Sequence, residues 1–114
     1  MGDRTNFRLK DIVDAIDEIQ SLLQNKSYQD LVKDKVAKAA FERFLEILSE
    51  ASRHIPEAMR ASRPDIPWPR VADIGNHLRH AYHRVDSEIL WELYVNGSLA
   101  VLRDACSDFL KGKN

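Results

Sequence analysis

The chain has 114 residues, 44% of them apolar and 31% charged, with a formal net charge of −1. That balance suits a single folded domain over residues 1–114 and excludes a disordered chain, while the near-zero charge excludes wholesale attraction to nucleic acid. Four Gly and four Pro leave long stretches without a breaker, which favours helices, and no run approaches the ~18–20 apolar residues of a membrane span.

The first predicted helix starts from Asn6 as N-cap and runs to about Gln24. Leu9, Ile12, Val13, Ile16, Ile19 and Leu23 recur at three- and four-residue steps and form its apolar stripe. Asn25-Lys26 ends it. Ahead of it, Met1-Gly2-Asp3-Arg4 lacks the apolar segment of a secretory signal. Asn6 stands where a myristoylation pattern wants Ser or Thr, so a cytoplasmic location is expected.

Ser27 begins the next helix, with Asp30 three residues on imitating a capping box. Its stripe takes in Leu31, Val32, Val36, Ala40, Phe41, Phe44, Leu45, Leu48 and Ala51. It reaches toward His54, with Asp34 as the place for a break. Pro56 opens a short extra helical turn, and Pro64, Pro67 and Pro69 fix a connector. A third long helix follows from about Trp68 to about Tyr82. Asp86 caps the last, whose inward positions are Ile89, Leu90, Leu93, Tyr94, Leu102, Ala105, Cys106 and Phe109, with an interruption at Asn96-Gly97. No segment alternates with the period of a strand. The expected fold is all-α, an antiparallel up-and-down four-helix bundle with one extra short helix. Trp68, Trp91 and Tyr94 are core or interface aromatics. Cys106, the single cysteine, reads as a small core residue.

The charge distribution says more than the total. Residues 60–84 carry Arg60, Arg63, Arg70, Arg79 and Arg84 against Asp65 and Asp73, the one cationic surplus in the chain. His77, His80 and His83 lie in the same stretch. On a helix Asn76 and His80 stand one turn apart, as do Arg79 and His83. Histidine can give and take protons near neutral pH, arginine stabilises charge building on phosphate oxygens, and asparagine adds a neutral donor. This combination suits RNA cleavage in which a 2′-hydroxyl attacks the adjacent phosphorus, a reaction needing a base, an acid and positive charge. It also suits a helix end that is merely capped and packed. A metal reading is weak: at ~100° per residue His77, His80 and His83 do not share a face.

The residues Pro67-Trp68, Asn76, His80, Tyr82, Val85-Asp86 and Ile89–Trp91 stand in the order and spacing of HepT-like proteins of the HEPN class. The chain resembles that family over nearly its whole length, most sharply in residues 66–91. The resemblance implies a homodimeric, metal-independent endoribonuclease without a cofactor, the toxin subunit of a bacterial toxin–antitoxin pair. Two copies of the motif would form one composite cleft, and a nucleotidyltransferase antitoxin would silence it by attaching AMP to a tyrosine. Carried over by position, His80 is the catalytic histidine, Tyr82 the modified tyrosine and Asn76 a polar residue that shapes the site. His77, His83 and Arg84 are further phosphate contacts. One position departs: the family's motif arginine falls on Gly75. Either the cation is relocated, to Arg79 one turn on or to Arg84, or the chain is a non-catalytic binding module that docks a nucleotidyltransferase.

Overall fold

A computed structural model describes residues 2–80 and 87–112. Its order is α1 (Gly2–Leu23), α2 (Tyr28–Lys33), α3 (Lys35–Ser52), α4 (Glu57–Ala61), α5 (Trp68–His80), α6 (Ser87–Val95) and α7 (Ser98–Leu110), with no strand among the described residues. The expected all-helical bundle is present. Its four rods are α1, the α2–α3 pair, α5 and the α6–α7 pair. The rod α1 lies between α3 and α7, and α5 packs on the other side of α3.

The start of α1 differs from the expectation. The helix reaches back to Gly2, so Asn6 is an exposed position inside it rather than its cap. Between Gly2 and Asn6 no proline or glycine interrupts the chain, so the helix continues back past Asn6. At the other end Asn25 takes φ +64°, a left-handed conformation that asparagine tolerates and that turns the chain out of α1.

The capping box at Ser27 is present. The Asp30 N–H donates to Ser27 Oγ at 3.1 Å, and the Ser27 N–H donates to Asp30 Oδ2 at 2.9 Å. Asp34 does break the second rod. It ends α2 in an extended conformation, and its carboxylate accepts from the Ala37 N–H at 3.0 Å to begin α3. The break resets the helical phase. A stripe counted through residues 31–51 as one helix therefore misplaces Val32 and Val36, which are 48% and 79% exposed.

Pro56 caps α4 and Gly97, at φ +87°, separates α6 from α7. Gly97 needs its missing Cβ for that angle. Of the inward positions expected on α6, Leu90 is buried and Ile89 is exposed on the rim of a cavity. Buried residues of α1 (Leu9, Ile12, Ile16, Ile19), α3 (Phe41, Leu45, Leu48), α5 (Val71, Ile74) and α7 (Leu102, Cys106, Phe109) form one continuous core. Trp68 belongs to that core rather than to a free surface. Its indole N–H donates to the carbonyls of Arg60 and Arg63, both at 3.1 Å, which fixes where α5 begins. No helix among the described residues is long and apolar enough to cross a membrane.

Candidate active site on the fifth helix

The distinctive residues lie on α5, and the packing of that helix sorts them. Val71, Ile74 and Gly75 are buried. Gly75 faces α3, where the buried Ser49 hydroxyl reaches across. Ser49 Oγ accepts from the Gly75 N–H at 2.9 Å and donates to the Ala72 carbonyl at 2.9 Å. A second α3 side chain meets the same carbonyl: Arg53 Nη2 donates to Ala72 O at 2.9 Å. A Cβ at position 75 would stand 3.1 Å from Ser49 Oγ and 3.2 Å from Arg79 Nη1. The glycine therefore allows two things at once, the close approach of α3 and the folding of the Arg79 guanidinium back over the helix.

The α3-facing edge of α5 thus carries Ala72, Asn76 and Arg79. Arg79 Nη2 donates to Asn76 Oδ1 at 2.7 Å, and Asn76 Nδ2 donates to Asp73 Oδ1 at 3.0 Å. The asparagine orients the arginine without neutralising it. His77 sits on the opposite edge. Its Nε2 lies 3.2 Å from Asp73 Oδ2, and it is largely exposed. Asp73 therefore holds both edges, with one oxygen on the asparagine and the other on the histidine.

That second edge borders a cavity of about 520 Å³ between α5 and the α6–α7 pair. Ile74, Leu93 and Leu102 line its apolar floor, and Arg70, Asp73, His77, Glu92 and Asn96 add polar groups. Among the described residues no group of three or more His, Cys, Asp and Glu is placed to hold a metal ion.

Of the site residues expected from sequence, Asn76 and Arg79 come together. His77 is turned away from them toward Asp73. The backbone of His80 ends α5 one turn beyond Asn76, and its side chain lies outside the described residues, as do Tyr82, His83, Arg84 and the cap residue Asp86. Three participants were missed. Ser49 and Arg53 are far from the motif in sequence, and no local spacing points to them. Asp73 precedes Asn76 and His77 by three and four residues, a helical spacing that does signal contact.

Against known proteins, the pattern described as "Ribonuclease HepT-like" matches residues 12–109. The chain is 38% identical over 84 residues to a Thermococcus cleftensis protein named "Probable ribonuclease HepT", a match covering 74% of this chain and 76% of that one. It is similar to two Methanocaldococcus jannaschii proteins provisionally named as RNases. One is 34% identical over 84 residues, covering 74% of this chain and 69% of the other. The second is 30% identical over 88 residues, covering 77% and 73%. No solved structure matches. The all-helical fold is compatible with a HEPN bundle, and the chain belongs to the HepT-like ribonuclease family.

Proposed function

We propose that this chain is an endoribonuclease acting as the toxin subunit of a toxin–antitoxin pair. Its site would be completed by a second copy across a homodimer. In the proposed reaction a histidine base, His80, takes the proton of an RNA 2′-hydroxyl, and the freed oxygen attacks the adjacent phosphorus. The bond from phosphorus to the 5′-oxygen breaks, and that oxygen is protonated by His80 of the partner subunit. Base, acid and cation then suffice for the chemistry. The products are a 2′,3′-cyclic phosphate and a 5′-hydroxyl. Arg79 supplies the cation that other members draw from the position of Gly75.

One observation carries this reading. The Arg79 guanidinium lies where a side chain at position 75 would begin, oriented by Asn76, one turn before His80. Silencing would follow from attachment of AMP to Tyr82 by a nucleotidyltransferase. The tyrosine oxygen bonds to the α-phosphorus of ATP brought by that enzyme, the bond to the bridging oxygen breaks and pyrophosphate leaves, and the phenol proton passes to solvent. The added charge and bulk repel the RNA backbone and compete for arginine.

The observation favouring a second reading, a binding module without catalysis, is the glycine itself at the arginine position. Cleavage of cellular RNA by the purified, unmodified chain in excess chelator separates the two. Wild type should cleave, and His80→Ala should lose at least a hundredfold in rate. Absence of cleavage by wild type across several RNA classes would leave the binding module as the reading to pursue.

A further inference from the structure

Arginines in this fold are anchored in two ways. Arg43, Arg63 and Arg103 sit against Glu46, Asp65 and Asp17, so their charge is locally neutralised. Arg53, Arg60 and Arg79 are anchored instead by neutral oxygens, those of Ala72, Ile55 and Asn76, and none of the three forms an ion pair among the described residues; Arg53 and Arg79 are the two that meet on the α3–α5 seam. The acidic residues near Arg53 on α3 have other partners. Glu46 faces Arg43, and Glu50 is engaged by His54 at 3.1 Å, a contact that holds its carboxyl below the usual carboxylate range. Two guanidinium groups are therefore fixed in position along one seam with no carboxylate in direct contact, the Glu50 charge acting on Arg53 only through space. A guanidinium has five N–H donors, and Arg53 uses only Nη2 within the described structure, leaving a fork that matches phosphate oxygens.

Ala72 and Asn76 are four residues apart on α5, about 6 Å along the helix axis. That separation is on the order of one to two nucleotides of a single strand. Ser49, buried between them and bonded to both Ala72 and Gly75, keeps α3 and α5 in register, so the two cations hold a constant spacing.

We propose that the α3–α5 seam is a track for the RNA backbone, with Arg53 as a phosphate contact one to two nucleotides from the Asn76–Arg79 edge. The inference rests on the ribonuclease reading for its ligand, but its test does not depend on cleavage. The site is built from two helices, which is why no motif on α5 announces it. It gives the seam a direction, from the end of α5 that carries His80 toward the end fixed by Trp68.

The test is binding of a single-stranded 2′-O-methyl oligonucleotide of about ten residues, whose attacking hydroxyl is capped so that it cannot be cut. Affinity is measured at several salt concentrations for wild type, Arg53→Gln, Arg53→Lys and Arg70→Ala. Glutamine keeps a donor for the Ala72 carbonyl and removes only the charge. Losing one phosphate contact should flatten the slope of log affinity against log salt by about 0.7, or roughly fivefold in affinity at ~0.1 M salt. Arg53→Gln should show that change and Arg53→Lys should recover most of it. Arg70, on the opposite edge, should leave the slope unchanged. An unaltered slope in Arg53→Gln, an equal loss in Arg70→Ala, or no binding by wild type would each overturn the proposal. Cleavage by wild type with an unaltered Arg53→Gln slope removes the track and leaves the nuclease. A flattened slope without cleavage does the reverse.

Discussion

Replacing Gly75 with alanine sets two effects of known size against each other. In a helix interior alanine is favoured over glycine by about 0.5–1 kcal/mol. Against that, the new Cβ would meet Ser49 Oγ at 3.1 Å. The hydroxyl cannot yield without loss, because it is held at 2.9 Å by both Ala72 O and the Gly75 N–H. Crowding of this kind in a packed interior costs about 1–3 kcal/mol. Arg79 Nη1, at 3.2 Å, is the end of a flexible side chain and can move. The single variant should therefore be destabilised by about 1 kcal/mol. In a Ser49→Ala background the sign reverses. The remaining neighbours are the Cβ of residue 49 at 3.7 Å, an ordinary contact, and the movable Arg79 Nη1, so the alanine should stabilise by about 0.5–1 kcal/mol. The coupling between the two positions is then about 2 kcal/mol, well above the few tenths expected of independent sites. Urea or thermal unfolding of the four proteins measures it, with about 4 °C in Tm for each kcal/mol in a chain of this size. Additive effects, or a stabilised Gly75→Ala in the wild-type background, would refute the close-approach argument for the glycine.

Two further outcomes are expected. Asp34→Ala should cost about 1 kcal/mol, because the carboxylate caps the first turn of α3 at the Ala37 N–H; Tm should fall by about 4 °C, and an unchanged Tm would remove the cap from the account. The Cys106 thiol is buried, and burial pushes it up to about 12, so at pH 8 almost none is thiolate. Thiol reagents should label the native chain at least a thousandfold more slowly than a free cysteine, with rates that rise with denaturant; fast labelling of native protein would contradict its burial.

Much of the architecture was legible because local signals and global packing agree. The three- and four-residue recurrence from Leu9 to Leu23 is the buried face of α1, and Ser27 with Asp30 forms the capping box that opens α2. Errors arose where a short-range break changed the phase. Asp34 caps in both directions, so Val32 and Val36 fall outside the stripe that a continuous helix would give. Asn6 failed as a cap because capping residues also sit inside helices, and nothing before it forces a stop. In the candidate site, helical spacing put Asn76 and Arg79 within the same two turns, each paired with a histidine, while their direct hydrogen bond at a three-residue spacing emerges only in the structure. Ser49 and Arg53 were not legible, since a contact between α3 and α5 joins residues nineteen or more positions apart only once the helices have packed. His77, expected as a phosphate contact, lies on the edge that borders the cavity, with its Nε2 3.2 Å from Asp73 Oδ2 one turn before it.

The placement of the two tryptophans makes the molecule its own optical reporter. Trp68 is enclosed at the beginning of α5 with its indole N–H on two carbonyls, whereas Trp91 is half-buried on α6 between Tyr28 at 6.1 Å and Tyr94 at 5.3 Å. The first emits from a sheltered, hydrogen-bonded environment. The second collects excitation from two adjacent phenols, one of them on α2. Loosening at the base of α5 and separation of α6 from α2 would therefore change different parts of the emission signal, and each can be followed with no label attached.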